Sequence, residues 1–229
     1  MLHAVLFEFD GVLADTRDAR RRALLEALSV DGATIGEAEY DDRCAGLPVR
    51  SAVRAAFELR AIPADDTTIE LAAARAERGF SSLVESGVSL LPGARALIES
   101  MQGQTRLGIV SRAARRDIEQ TLAMARLDYA FEFVLSDDDP YPPKPSAEPY
   151  IGALKRFARR KPVDPKNVVA LEDGVAGIRS AKDAGIRCAV VGELPLHLAM
   201  NADAMLPSLL GQTAASIDAL TLGKRPAER

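Results

Sequence analysis

At 229 residues, 48% of them hydrophobic, the chain is long enough for one large domain or two modest ones with an ample core. No apolar run approaches the roughly 20 residues of a membrane span, and Met1-Leu2-His3 leads straight into a strand instead of a basic, apolar signal sequence, so the expectation is a soluble protein of the cytoplasm. A formal charge of −4 argues against a broad nucleic-acid surface, and two distant cysteines, Cys44 and Cys188, with only two histidines beside them, indicate neither a zinc site nor a disulfide scaffold.

The apolar run Ala4-Val5-Leu6-Phe7 is interrupted by Glu8 and Asp10 and stopped by Gly11. This pattern predicts a buried strand that ends in a tight turn. Acids spaced by two lean to one face of an extended chain, so beyond the strand end both carboxylates can converge on one ion. Burying them unpaired is very costly, and a bound cation is the natural partner.

After Thr16 the pattern becomes helical, with Ala19, Ala23, Leu24, Ala27 and Leu28 at helical spacing and Arg17, Arg20, Arg21 and Arg22 on the other faces. Further helices are predicted over Val49 to Leu59 and Thr68 to Leu83, separated by turn signals at Gly32, Gly36, Gly46-Leu47-Pro48 and Ile62-Pro63. No strand pattern interrupts them before Ser86. The composition shift suggests an all-helical insert over residues 16–86 between the two parts of a core, residues 1–15 and 87–229.

From Leu91-Pro92-Gly93 onward helix and strand alternate. Helices are predicted over Ala94 to Met101, Ala114 to Ala125, Ala147 to Phe157 and Ala176 to Ala184, and strands over Arg106 to Val110, Phe131 to Leu135, Asn167 to Leu171 and Arg187 to Val191. Such alternation implies an α/β fold, a doubly wound Rossmann-like core with a mostly parallel sheet. The terminal Lys-Arg-Pro-Ala-Glu-Arg run is expected to fray.

Ligands of open parallel sheets bind beyond the carboxyl ends of the strands, and each predicted end here carries polar groups. The first offers Glu8 and Asp10, the second Ser111-Arg112, the third Ser136-Asp137-Asp138-Asp139 and then Lys144, and the fourth Glu172-Asp173-Gly174. Carboxylates for a hard cation, a hydroxyl and amide donors for a phosphoryl oxygen, and one ammonium are the equipment of phosphoryl transfer.

The stretch from Phe7 to Thr16 resembles the first motif of the haloacid dehalogenase superfamily, Asp-x-Asp-Gly-(Thr/Val)-Leu-x-Asp, with one departure: Glu8 stands at the first acid. Ser111 matches the second motif, Lys144 in Pro143 to Tyr150 the third, and Glu172 to Ile178 the fourth. Four motifs in order, with the helical insert directly after the first, resemble the β-phosphoglucomutase and phosphoglycolate phosphatase branch and its helical cap.

The resemblance implies a Mg²⁺-dependent phosphatase of a small phosphorylated metabolite, working through a carboxyl-phosphate intermediate. Glu8 would occupy the nucleophile position and touch Mg²⁺. Asp10 would give a proton to the leaving oxygen, later activate water, and bind the metal through its carbonyl. Ser111 would hydrogen-bond the phosphoryl group, Lys144 would balance charge, and Asp173, helped by Glu172, would complete the metal site. Gly11, Arg112 and, from the cap, Arg20 and Arg50 are candidates for contacting substrate, although the arginines on the first helix also read as a solvated face. The added methylene of Glu8 implies slow turnover. A phosphomutase, or a degenerate member that binds a phosphorylated ligand without turnover, are the alternatives. The expected assembly is a monomer or weak dimer, without nucleic-acid or membrane partners.

Overall fold

Ala4–Phe7 forms β1, all four side chains fully buried, and it becomes the centre of a parallel sheet. The other strands are β2 (Arg106–Val110), β3 (Val134–Leu135), β4 (Val168–Glu172), β5 (Arg187–Val191) and β6 (Ala204–Leu206), in the spatial order β3-β2-β1-β4-β5-β6. Ala4 stands opposite both Arg106 and Val168, so β1 is flanked in parallel by β2 and β4. Strand order reverses at β1, which opens a crevice at the carboxyl ends of β1, β2 and β4.

The computed structural model describes residues 1–45 and 47–223. Gly46 of the predicted turn and the terminal run from Lys224 lie outside them. The chain divides into two units, Met1–Asp15 with Ser89–Arg229, and Thr16–Val88.

Among the described residues the second unit contains four α-helices: α1 (Arg17–Ser29), α2 (Glu37–Arg43), α3 (Val49–Leu59) and α4 (Asp66–Glu85). Asp65 caps α4 by accepting from the Thr68 amide at 2.8 Å. Leu24 and Leu28 of α1, Val53 and Phe57 of α3, and Ile69 and Ala72 of α4 belong to one apolar cluster. Small residues let α1 and α4 run close, with Gly79 against the Cβ of Ala23.

In the first unit the sheet is covered by α5 (Ala94–Met101), α6 (Arg115–Met124), α7 (Glu148–Ala158) and α8 (Val175–Asp183); α9 (Leu196–Ala199) and α10 (Ala214–Thr221) follow. Tyr150, Ala153 and Phe157 of α7 pack with Ile178 and Ala181 of α8 on Ala4, Leu6, Val168 and Ala170. The α/β alternation read from the sequence is what forms. β3 is shorter than the predicted Phe131 to Leu135, although the Glu132 amide still donates to Leu107 O at 2.8 Å and the Ile109 amide to Phe133 O at 3.1 Å; Phe131 meets Phe7 edge-on, and Phe133 meets Phe157. Gly108 in β2 makes room for Phe133, since a Cβ there would sit 2.6 Å from its ring. Four elements went unpredicted: α2, α9, β6 and α10. β6 has only three residues and no alternating pattern, and α10 is announced mainly by its cap, Thr213, which accepts from the Ser216 amide at 3.1 Å.

Candidate active site

Glu8 follows β1 directly, and its amide donates to Leu171 O at 2.9 Å, so the sheet fixes its backbone. Its side chain does not point away into solvent. Oε1 accepts from the Phe9 amide at 2.7 Å and from the Ser111 hydroxyl, while Oε2 accepts from Lys144 Nζ at 2.6 Å. The chain then turns sharply, with the Leu13 and Ala14 amides both donating to Phe9 O at 3.0 and 2.9 Å. Gly11 takes φ +71° in that turn, and a Cβ on it would meet Asp173 Oδ2 at 2.4 Å. Asp10 is thereby held in the turn, next to the loop that carries Asp173.

Lys144 is buried, although a lysine taken by itself reads as a surface residue and only the proline-flanked setting after a strand singles it out. Nζ donates to Glu8 Oε2, to Val110 O at 2.8 Å and to Glu172 Oε1, which uses all three ammonium protons. Burial opposes its charge, but the carboxylates of Glu172 and Glu8 outweigh that and hold its pKa above the ordinary lysine value. Glu172 shows the reverse balance. Burial, aided by the charge of Glu8, raises its carboxyl to about 7 against the pull of Lys144. Tyr150 on α7, fully buried, donates its hydroxyl to Glu172 Oε1, and burial followed by that carboxylate keeps the phenol well above its usual pKa.

Asp173 is open to solvent on one side, yet protein crowds it enough that desolvation, then the charges of Glu8 and Glu172, raise its carboxyl to about 7. Among the described residues no three His, Cys, Asp or Glu side chains form a ready metal cage. The oxygen donors nonetheless suit a hard divalent cation: Asp173 lies against the Gly11 turn and feels the charges of Glu8, Glu172 and Asp10, a repulsion that such an ion relieves.

Glu8, Ser111, Lys144 and Glu172 thus form one hydrogen-bonded group, with Asp10, Gly11 and Asp173 at the adjoining turns. Arg112, half-buried, lines a cavity of about 20 Å³ with Ser111, Asp137 and Lys144. Asp138 and Asp139 brace the scaffold instead: Asp138 accepts from the Arg115 amide at 2.7 Å, at the start of α6, and Asp139 pairs with the Arg115 guanidinium at 2.6 Å. Arg20 and Arg50 belong to the helical unit. The Arg20 guanidinium sits 3.9 Å from the Phe80 ring centroid, and Arg50 pairs with Asp66 at 3.2 Å and Glu70 at 2.9 Å.

Three residues inside the quoted motifs were given no role by the sequence reading: Phe9, through its amide, Tyr150, and Gly177, where a Cβ would lie 1.9 Å from Glu172 Oε2. A tyrosine on the inner face of a predicted helix, which must find a partner for its hydroxyl, and a glycine inside a helix were the available signals.

The family model for haloacid dehalogenase-like hydrolases matches residues 5–191. The chain belongs to the haloacid dehalogenase-like hydrolases. It is an enzyme of the haloacid dehalogenase-like phosphatase type. It is 31% identical over 201 residues to the protein CbbY of Cereibacter sphaeroides, covering 83% of this chain and 84% of that one. To hexitol phosphatase B of Escherichia coli K12 it is 31% identical over 221 residues, 92% of this chain and 94% of the relative. The crystal structure of a mutant of CbbY from Rhodobacter sphaeroides in complex with xylulose-(1,5)bisphosphate superposes with a TM-score of 0.77 at 28% identity, covering 95% of this chain and 100% of that one.

Proposed function

We propose that this haloacid dehalogenase-like enzyme hydrolyses the phosphoric monoester of a small phosphorylated sugar, with Mg²⁺, through a carboxyl-phosphate on Glu8. The observation that carries the reading is the convergence of the Ser111 hydroxyl, the Phe9 amide and the Lys144 ammonium on the carboxylate of Glu8, with Asp10 in the next turn. Donors fixed around an anion in a buried site are what a phosphoryl group in transfer needs. The names of the relatives, a hexitol phosphatase and a protein crystallised with a sugar bisphosphate, support a sugar phosphate as the class of substrate.

On this reading a Glu8 oxygen attacks phosphorus as the bond to the leaving oxygen breaks, and Asp10 supplies that oxygen with a proton. Asp10 then takes a proton from water, whose oxygen displaces Glu8 from phosphorus. Splitting the displacement in two lowers each barrier. Ser111 and Lys144 hold the phosphoryl oxygens. Glu8, Asp10 and Asp173 are the residues to hold Mg²⁺, which neutralises phosphoryl charge when bound; Glu172, already accepting from Lys144 and Tyr150, contributes by orienting Lys144. Incubation with Mg²⁺ and a panel of hexose, pentose and hexitol phosphates tests the proposal. Release of inorganic phosphate supports it, isomerised sugar phosphate replaces it with a mutase, and no conversion of any of them overturns it.

A further inference from the structure

We infer that Tyr150 and Gly177 are positioning residues that aim Lys144 at the reacting centre by fixing Glu172 from two sides. The inference rests on the proposed function for what Lys144 does, but the geometry behind it is independent.

Glu172 closes β4 with its side chain turned into the protein, almost wholly buried, where an unguided carboxylate would have several rotamers to choose among. Two features remove that choice. The Tyr150 hydroxyl, brought by α7, donates to Oε1, the same oxygen that Lys144 uses. On the other side α8 presents Gly177, and the carboxylate fills the space a side chain would take: a Cβ at Gly177 would lie 1.9 Å from Oε2 and 2.1 Å from Cδ. Gly177 lies inside α8 and is not among the glycines with positive φ, so nothing in its backbone asks for glycine. The reason for the residue is the carboxylate.

Lys144 inherits this placement. Its ammonium is bracketed by Glu8 and Glu172, and it lies 5.2 Å from the ring centroid of Tyr150, so the same phenol orders it by hydrogen bond through Glu172 and by its π face directly. Tyr150→Phe keeps the ring and loses the donor. Gly177→Ala keeps the helix, which alanine favours, but requires the Glu172 carboxylate to move well beyond its present place.

The test uses the full chain as wild type, Y150F, G177A, E172Q and Y150F/E172Q, with p-nitrophenyl phosphate and Mg²⁺, together with thermal midpoints and the ζ-nitrogen NMR signal of Lys144 in ¹⁵N-lysine-labelled protein. Outer-shell partners of this kind are worth on the order of 10- to 100-fold. The expected result is a kcat lower by that factor in Y150F and G177A with KM within about 3-fold, midpoints that keep both variants folded at the assay temperature, and a Lys144 signal displaced in both. Y150F/E172Q should be no slower than E172Q, because the hydroxyl, the only group Y150F removes, acts through that carboxylate while the ring stays in place. Wild-type kcat in Y150F, or losses that multiply with E172Q, would overturn the inference. If G177A does not fold, the Y150F and E172Q cycle decides alone. If wild type turns over nothing, the proposed phosphatase fails on its own account, and the Lys144 signal still decides: unmoved in Y150F, it refutes the positioning role.

Discussion

Glu8 and Lys144, 136 positions apart in the chain, form an ion pair of 2.6 Å with side chains 9% and 3% exposed. β1 delivers one and the loop before α7 delivers the other, so the pair exists only once the sheet is assembled. Ser111 donates to the same carboxylate from the end of β2. Both donors are therefore engaged by the protein's own anion. On the proposed function, an incoming phosphate would compete with Glu8 for them.

Shortening that anion should release them. Glu8→Asp withdraws the carboxylate by up to about 1.5 Å, one C–C bond, and displacements near ~1 Å are worth on the order of 100-fold in rate at a reacting centre. With saturating Mg²⁺, Glu8→Asp is expected to exceed wild type in kcat by about that factor, measured with an aryl phosphate. A variant equal to or slower than wild type would show that the longer arm is the fitted one.

Removing the cation is a question of stability as well as rate. Lys144→Met leaves Glu8 and Glu172 buried without their common partner, and breaking a buried ion pair from one side costs about 3–5 kcal/mol. Urea unfolding at pH 8 should show a loss of that order, with a smaller loss at pH 5, where Glu172 is protonated. A loss under about 1 kcal/mol would place the pair in the class of solvent-screened ion pairs.

How much of this was legible beforehand differs by residue. Val168 to Leu171 and Arg187 to Val191 announced themselves as apolar runs, and the polar groups after each run identified the edge of the sheet where Glu8, Ser111, Lys144 and Glu172 meet. Lys144 could be matched by its motif but not read as buried, because its burial comes from partners 28 and 136 positions away. Tyr150 and Gly177 are placed around Glu172 by the packing of α7 and α8, and no spacing within either helix encodes that meeting. The turn at Gly11 was visible, whereas the pressure of Asp173 against it was not.

Glu172 makes stability depend on pH in a definite direction. Its carboxyl rises from 4.5 to about 7 on folding, chiefly by burial, so between those values the folded protein keeps a proton that the unfolded chain has released. Its contribution is fully present below pH 4.5 and is lost as pH rises to about 7. The depressed carboxyls of Asp65 and Asp66, whose cause is the Thr68 hydrogen bonds for one and Arg54 and Arg50 for the other, act oppositely and weaken the fold only in acid. The difference between wild type and E172Q isolates the Glu172 part. Urea midpoints from pH 4.5 to 8 should fall relative to E172Q as pH rises; parallel curves would mean that Glu172 does not titrate in this window.

Asp173 provides the corresponding test for the cation. Its carboxyl is raised to about 7 by desolvation and then by the charges of Glu8 and Glu172, and a divalent ion binds the deprotonated form, so Mg²⁺ affinity should increase from pH 6 to pH 8. Binding to the folded state alone stabilises it by RT ln(1 + [L]/Kd), about 2.7 kcal/mol at 100-fold excess over Kd. Thermal midpoints with and without Mg²⁺ are therefore expected to separate more at pH 8 than at pH 6. Asp173→Asn should close that gap, and Gly11→Ala should narrow it, because a Cβ 2.4 Å from Asp173 Oδ2 displaces the ligand and strains a left-handed turn. An undiminished Mg²⁺ response in Asp173→Asn would locate the ion away from this edge of the sheet.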